Sequence, residues 1–183
     1  ADRSARATLI DRIERAALAD DARGVVLDFE NLPPDAHDAY RRFLGEARRR
    51  LAARGLLLTI AAPVGDEAWD LARYAPLVDR LFLMAYDEHW PEGEPGPIAS
   101  QPWFARVVGD AVKAVGADKA TIAIGNYGYD WGAGVAEPIT VAQAWERAAA
   151  AGVLPRFDPV TGNSHIVYRK DGVVHQLWLL DAL

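Results

Sequence analysis

The sequence predicts an α/β fold in which strands of a parallel sheet alternate with helices. Short, continuous apolar runs rich in β-branched residues recur along the first two thirds of the chain, and between them apolar residues fall at helical spacing. A count sets the extent: about five principal strands fit into the 183 residues. A closed (β/α)8 barrel takes roughly 250 residues. The pattern therefore suits either an open doubly wound sheet or the later part of a barrel whose first strands lie upstream of Ala1.

Each element follows from its residues. Ser4 to Leu18 sets Ala7, Leu9, Ile10, Ile13 and Leu18 at near-helical spacing, which predicts an amphipathic helix. Gly24 to Phe29 is short, apolar and β-branched, as expected of a strand buried on both faces. Turn chemistry follows at Asn31, Pro33, Pro34 and Asp35, then a helix from about Asp35 to Arg54 closed by Gly55. Leu56 to Ala62 reads as a strand ending at Pro63, Asp66 to Leu77 as helical, and Arg80 to Tyr86 as the next strand. The loop Pro91 to Pro97 leads to a helix over Pro102 to Val115, and Lys119 to Tyr127 to a further strand. The last third changes character. A helix near Val141 to Ala151 precedes short antiparallel strands at Phe157, His165 to Tyr168 and Val173 to Leu180, joined at Thr161-Gly162-Asn163 and Asp171-Gly172. No linker rich in Gly, Ser or Pro divides the chain, so residues 1–183 are expected to form one domain.

Composition excludes several functions. With 51% apolar and 25% charged residues the chain can bury a substantial core. Its net charge of −6 and lack of a basic block argue against nucleic acid as a partner. Absence of cysteine removes disulfides, thiolate zinc sites and thiol nucleophiles. His37, His89, His165 and His175 show no H-x-x-x-H or H-x-H spacing, so neither a metal nor another cofactor is expected. No apolar stretch reaches the roughly 18 residues of a membrane helix. The start at Ala1, with no signal-peptide pattern after it, predicts a segment of a longer protein.

Candidate chemistry lies at strand ends. Asp28 and Glu30 alternate with Leu27 and Phe29 and so share a face. Two carboxylates held close in a partly apolar pocket push one pKa upward and give a proton donor near neutral pH. A second strand ends in Met84-Ala85-Tyr86-Asp87-Glu88-His89-Trp90, a third in Asn126-Tyr127-Gly128-Tyr129-Asp130-Trp131, and the last carries Trp178. Aromatics and carboxylates at one sheet edge suit a sugar site, because pyranose C–H faces stack on flat side chains while hydroxyls take hydrogen bonds.

These motifs resemble glycoside hydrolase family 18. Gly24 to Glu30 looks like the end of its signature D-G-x-D-x-D-x-E, Met84-Ala85-Tyr86-Asp87 like its M-x-Y-D, Tyr127-Gly128 like its Y-G, and Trp178 like the tryptophan of its eighth strand. Asn31-Leu32-Pro33, the segment Glu88 to Trp103 and the closing Leu177 to Ala182 resemble the bacterial branch of spore-cortex and peptidoglycan glycosidases and of domains fused to polysaccharide deacetylases and glycosyltransferases. The resemblance implies a (β/α)8 barrel, here its part from about strand 4 to strand 8, with an α+β insertion at 132–174. It implies a retaining glycosidase acting on β-linked N-acetylglucosamine polysaccharide (chitin, peptidoglycan or exopolysaccharide) outside the cytoplasm. The 2-acetamido oxygen of the substrate then serves as nucleophile. Glu30 becomes the acid, Asp28 the partner of the acetamido N–H, Tyr86 a donor to the acetamido oxygen and Asp87 a positioning carboxylate. Trp178 becomes the floor, and Tyr127, Met84, Asn126 and Trp90 further substrate contacts. Arg23 and Val26 stand where the signature has its first two aspartates, so Asp28 lacks a deeper carboxylate with which to share a proton. A barrel lacking its first strands exposes edges that another chain or a second copy covers. The alternative reading is a non-catalytic carbohydrate-binding module of a multidomain envelope enzyme.

Overall fold

A computed structural model describes residues 2–181, so Ala182 of the closing motif lies outside the described residues. Two compact units are distinguished, one formed by the chain up to Met84 with Val108–Ile122, the other by Ala85–Val107 and the chain from Ala123 onward.

In the first unit α1 (Arg3–Ala19) starts at Asp2, whose side chain accepts from the Ser4 N–H, and leads into β1 (Gly24–Leu27). Then come α2 (His37–Ala52), β2 (Leu57–Pro63), α3 (Leu71–Tyr74), β3 (Arg80–Met84), α4 (Gln101–Val115) and β4 (Ala120–Ala123), with α4 shared by both units. The sheet order is β1-β2-β3-β4. β1 pairs in parallel with β2 and β2 with β3. Leu81 N–H donates to Lys119 O and Ala85 N–H to Ala123 O, an equal advance on both strands that makes β3 and β4 parallel as well. Leu44 and Leu51 of α2 and Leu58, Ile60 and Leu81 of the sheet are fully buried, the apolar stripe meeting the apolar strands as the spacing requires. Glu14 on α1 is buried but paired, with Arg50 and with Arg54 at 2.6 Å, which ties α1 to α2.

Three expectations need correction here. The strand at Gly24 ends at Leu27 rather than Phe29 and is not buried on both faces, since Val26 is 53% and Phe29 43% exposed. The reason is position: β1 is the edge of the sheet. The helical segment at Asp66 to Leu77 shrinks to α3 and a 3-10 turn at Ala75–Leu77. Asp66 folds its own turn by accepting from Ala68 N–H at 2.8 Å, and Pro76 has no N–H with which to extend a helix. Finally, the strand from Lys119 stops at Ala123 instead of Tyr127, and Gly128 opens a new strand in a different sheet.

That second sheet belongs to the other unit. β5 (Gly128–Trp131), β6 (Glu137–Ile139), β7 (Arg156–Asp158), β8 (Asn163–Lys170) and β9 (Val173–Leu179) form it in the order β6-β5-β9-β8-β7, with antiparallel pairing throughout. Gly128 is required where it is, because a Cβ there would lie 2.5 Å from the Trp178 carbonyl oxygen. α5 (Val141–Ala150) begins in a capping box between Thr140 and Gln143. It buries Ala144 and Ala148 with Ile139, Ile166, Tyr168, Leu177 and Leu179.

A carboxylate sits in this core. Asp130 is buried and accepts from Tyr168 Oη at 2.5 Å, from His175 Nδ1 at 2.8 Å and from Arg147, which also reaches Glu137 at 2.8 Å. Burial alone would raise its pKa, but the three donors outweigh that and hold it below the usual carboxylate range. Replacing Asp130 with alanine strands Arg147 and two polar rings, and the expected loss in urea unfolding is about 3–5 kcal/mol, the range for breaking a buried pair. Because the folded pKa is depressed, Asp130 contributes fully above its unfolded value of about 3.9 and its contribution is lost as pH falls through the folded value. The unfolding midpoint of the variant should accordingly depend less on pH below about 4 than that of the native chain.

Candidate active site

In the first unit Asp28 and Glu30 follow directly on β1, and both are exposed rather than enclosed in an apolar pocket. Phe29 between them meets the ring of Tyr40 edge to face at 5.5 Å. Tyr40 is buried; burial, then the neighbouring Tyr74 and the charge of Asp28, push its phenol well above its ordinary value. Its hydroxyl has no hydrogen-bond partner among the described residues. Behind it His37 Nδ1 and Tyr74 Oη lie 2.7 Å apart, and Trp69 closes the aromatic cluster. Met84 ends β3 opposite Pro63 and is buried, so it supports the strand end from within rather than presenting a surface.

The second unit assembles several of the other predicted residues. Asp87 has a left-handed backbone, φ 62°, a strained conformation outside glycine. The turn aims its carboxylate at two phenols: Tyr127 Oη and, at 2.9 Å, Tyr129 Oη both donate to Oδ1. This leaves Oδ2 for a sugar hydroxyl or an amide N–H. Burial first and Asp87 second push the Tyr127 phenol up strongly and that of Tyr129 to about 12, so both remain donors at neutral pH. Tyr86 meets Tyr127 edge-on at 5.9 Å, Tyr127 meets Tyr129 at 5.3 Å and Tyr129 meets Trp131 at 5.5 Å. Tyr86, Tyr127 and Trp178 pack against a core of Ile98, Tyr129, Trp131 and Ala136. Asn126 and Trp90 are exposed.

Residues that no motif marked hold this arrangement. Glu88 accepts from Ser100 N–H at 2.6 Å and Ser100 Oγ at 3.0 Å, and Asn163 bonds the backbone of Ile98 and Ala99. Together they pin the Pro- and Gly-rich loop against the aromatic cluster. His89 Nδ1 lies 2.9 Å from Pro97 O, with Gly96 so close that a Cβ would sit 2.4 Å from the imidazole. Gly125 is equally constrained, since its Cβ would lie 2.7 Å from the Tyr127 ring and 3.2 Å from Tyr86 Cβ. Gly125→Ala should therefore displace Tyr127 from Asp87, lowering stability by about 1–3 kcal/mol as overpacking does. Titration with an N-acetylglucosamine oligomer should show weakened binding by the same variant. Among the described residues no group of three or more His, Cys, Asp or Glu side chains is placed to hold a metal ion. No helix is long and apolar enough to cross a membrane.

Aromatics packed edge to face beside a carboxylate presented by two phenols are the equipment of a carbohydrate-active protein. The chain belongs to glycosyl hydrolases family 18, whose description matches residues 1–174. It is 29% identical to the sporulation-specific glycosylase YdhD of Bacillus subtilis over 192 residues, covering 98% of this chain and 46% of that protein. The crystal structure of YdhD superposes with a TM-score of 0.91, covering 99% of this chain and 65% of that one. A cortical fragment-lytic enzyme of Bacillus anthracis is 27% identical over 87% of this chain and 41% of its own length. The crystal structure of a chitinase from Chromobacterium violaceum is 27% identical with a TM-score of 0.88, covering 98% of this chain and 60% of that one. The chain thus spans less than half the length of these curated relatives. Family 18 is a glycosidase family with a (β/α)8 type of fold, and the α/β content seen here accords with it.

Proposed function

We propose that this chain carries the catalytic residues of a retaining glycosidase that cleaves β-linked N-acetylglucosamine polysaccharide by substrate-assisted catalysis. The observation that carries the reading is Asp87, whose left-handed turn and two phenol donors aim a carboxylate beside the ring of Tyr86 in a family 18 chain. Glu30 protonates the glycosidic oxygen and then activates water. Asp28 takes the acetamido N–H, Tyr86 donates to the acetamido oxygen, and Asp87 with Tyr127 fixes the distorted sugar. Trp178 offers an indole face as a floor, with Asn126 and Trp90 as further contacts. We read the chain as the part of the family barrel from about strand 4 to strand 8, with residues 132–174 inserted before the last strand. It works within a larger protein acting outside the cytoplasmic membrane, a placement supported by the names of the spore and cortex relatives.

The test is hydrolysis of N-acetylglucosamine oligomers followed by proton NMR. A β-anomer as first product supports retention, and an α-anomer overturns it. One observation favours the second reading, a binding module without turnover: Val26 stands where the family signature has an aspartate, and it is 53% exposed. Binding of the oligomer without any cleavage would establish that alternative.

A further inference from the structure

One row of side chains crosses the antiparallel sheet. The register sets Tyr129 opposite Trp178, Trp178 opposite His165 and His165 opposite Arg156, and directly paired residues project from the same face. This face is opposite to the one that α5 covers, since Leu179, Ser164 and Phe157 alternate with the row. His165 is stacked on Trp178 with ring centroids 5.0 Å apart and planes inclined by 27°, so one face of the imidazole packs against the indole. His165 Nδ1 is buried and has no hydrogen-bond partner among the described residues.

The row ends in a cavity of about 610 Å³ lined by Val153, Leu154, Pro155, Arg156, His165 and Val167. That volume is within the range of small-molecule sites, roughly 300–1,000 Å³. Its walls offer apolar surface, Leu154 being 81% and Val167 55% exposed. Arg156 brings an exposed guanidinium to the rim. Arg147 in the same unit is bound to Asp130 and Glu137, whereas Arg156 has no carboxylate partner among the described residues. Asp158, two residues further along β7, is engaged in its own turn, accepting from Val160 N–H at 2.9 Å.

We infer that Arg156 and His165 form a saccharide subsite next to Trp178 that takes a hexosamine bearing a carboxylate, as the lactyl ether of muramic acid does. The inference rests on the glycosidase reading above and narrows its substrate class to an acidic, alternating glycan. Neighbouring strands lie about 4.8 Å apart, so Trp178 to Arg156 spans roughly 10 Å, enough for adjoining sugar rings. The sugar's C–H face rests on His165 and Val167, and the carboxylate takes the two-pronged guanidinium of Arg156. An uncharged N-acetylglucosamine polymer leaves that guanidinium with nothing to pair.

Calorimetric binding by the full chain carrying Glu30→Gln, which removes cleavage, tests it with three probes. They are an oligomer alternating N-acetylglucosamine and N-acetylmuramic acid, the same oligomer with its lactyl carboxylates converted to methylamides, and a chito-oligosaccharide of equal length. The carboxylate form should bind roughly tenfold more tightly than the amide, the scale of a hydrogen bond to a charged group, and rising salt should erode the difference. Arg156→Ala should erase that preference, and Arg156→Lys should restore part of it. Equal affinity for acid and amide, or a preference that survives Arg156→Ala, overturns the subsite. Tight binding of the chito-oligosaccharide in either of those cases leaves the glycosidase reading standing. Failure of the chain to bind any of the three probes removes both.

Discussion

Hydrolysis of an N-acetylglucosamine oligomer should fall by about 10²–10⁴-fold when Glu30 is replaced by glutamine, the usual contribution of a positioned acid and base. The amide keeps the shape of the carboxyl group and much of its hydrogen bonding but has no proton to deliver to the leaving oxygen. Binding of the same oligomer should change little, so the loss should be seen in kcat rather than in KM. The contrast with Asp130→Ala is informative. That substitution lowers stability without touching the chemistry, so it should shift the unfolding curve while leaving turnover per folded molecule nearly unchanged. Equal rates for Glu30→Gln and the native chain would take the role of acid away from Glu30.

Local pattern made most of this chain readable, and its failures have physical causes. Helices α1, α2, α4 and α5 occur where helical periodicity places them, with α2 packing on β2 and α5 on β9. Gly55, at φ 71°, closes the second of them as a left-handed C-terminal residue should. An apolar run does not say whether a strand has one neighbour or two, and among the described residues β1 pairs with β2 alone. The break between Ala123 and Gly128 has a related cause: the apolar residues continue past Ala123 to Ile124, and pairing reveals that the chain changes sheets. At the site, Tyr86, Asp87, Tyr127 and Trp178 were visible as strand-end residues, and the second unit packs the three aromatics in one cluster with Asp87 held by Tyr127. Asp130 was not singled out, because Arg147, Tyr168 and His175 stand 17, 38 and 45 residues away from it. A signal did exist. An acidic residue on the same face of β5 as Gly128, which lies opposite the buried Leu179, has to find donors within the core. Asn163 was noticed only as a turn residue, whereas its amide grips two backbone N–H groups about 64 residues earlier.

The substrate's own acetamido group should prove indispensable to cleavage. Asp28 and Glu30 are two residues apart in the segment that follows β1, so their Cα atoms lie at most about 7 Å apart and both reach a bound sugar from the same wall. A double displacement with a protein nucleophile needs two carboxyl groups about 5–5.5 Å apart on opposite sides of the bond. Asp87 is the remaining carboxylate among the proposed residues, and its Oδ1 already accepts from Tyr127 and Tyr129, which makes it a poor nucleophile and a good positioning group. On the proposed mechanism the acetamido oxygen, polarised through Asp28 and Tyr86, attacks the anomeric carbon, forming the C–O bond of an oxazolinium ion as the protonated glycosidic oxygen leaves. A polymer with free amines at C2, or a plain β-glucan, should thus be bound but turned over at least 10²-fold more slowly than the N-acetylated polymer, the lower end of what one catalytic group supplies. A thiazoline analogue of the oxazolinium ion should compete with substrate. Comparable rates on β-glucan and on the N-acetylated polymer would make Asp87 the nucleophile, and Asp87→Asn would then abolish activity instead of weakening binding.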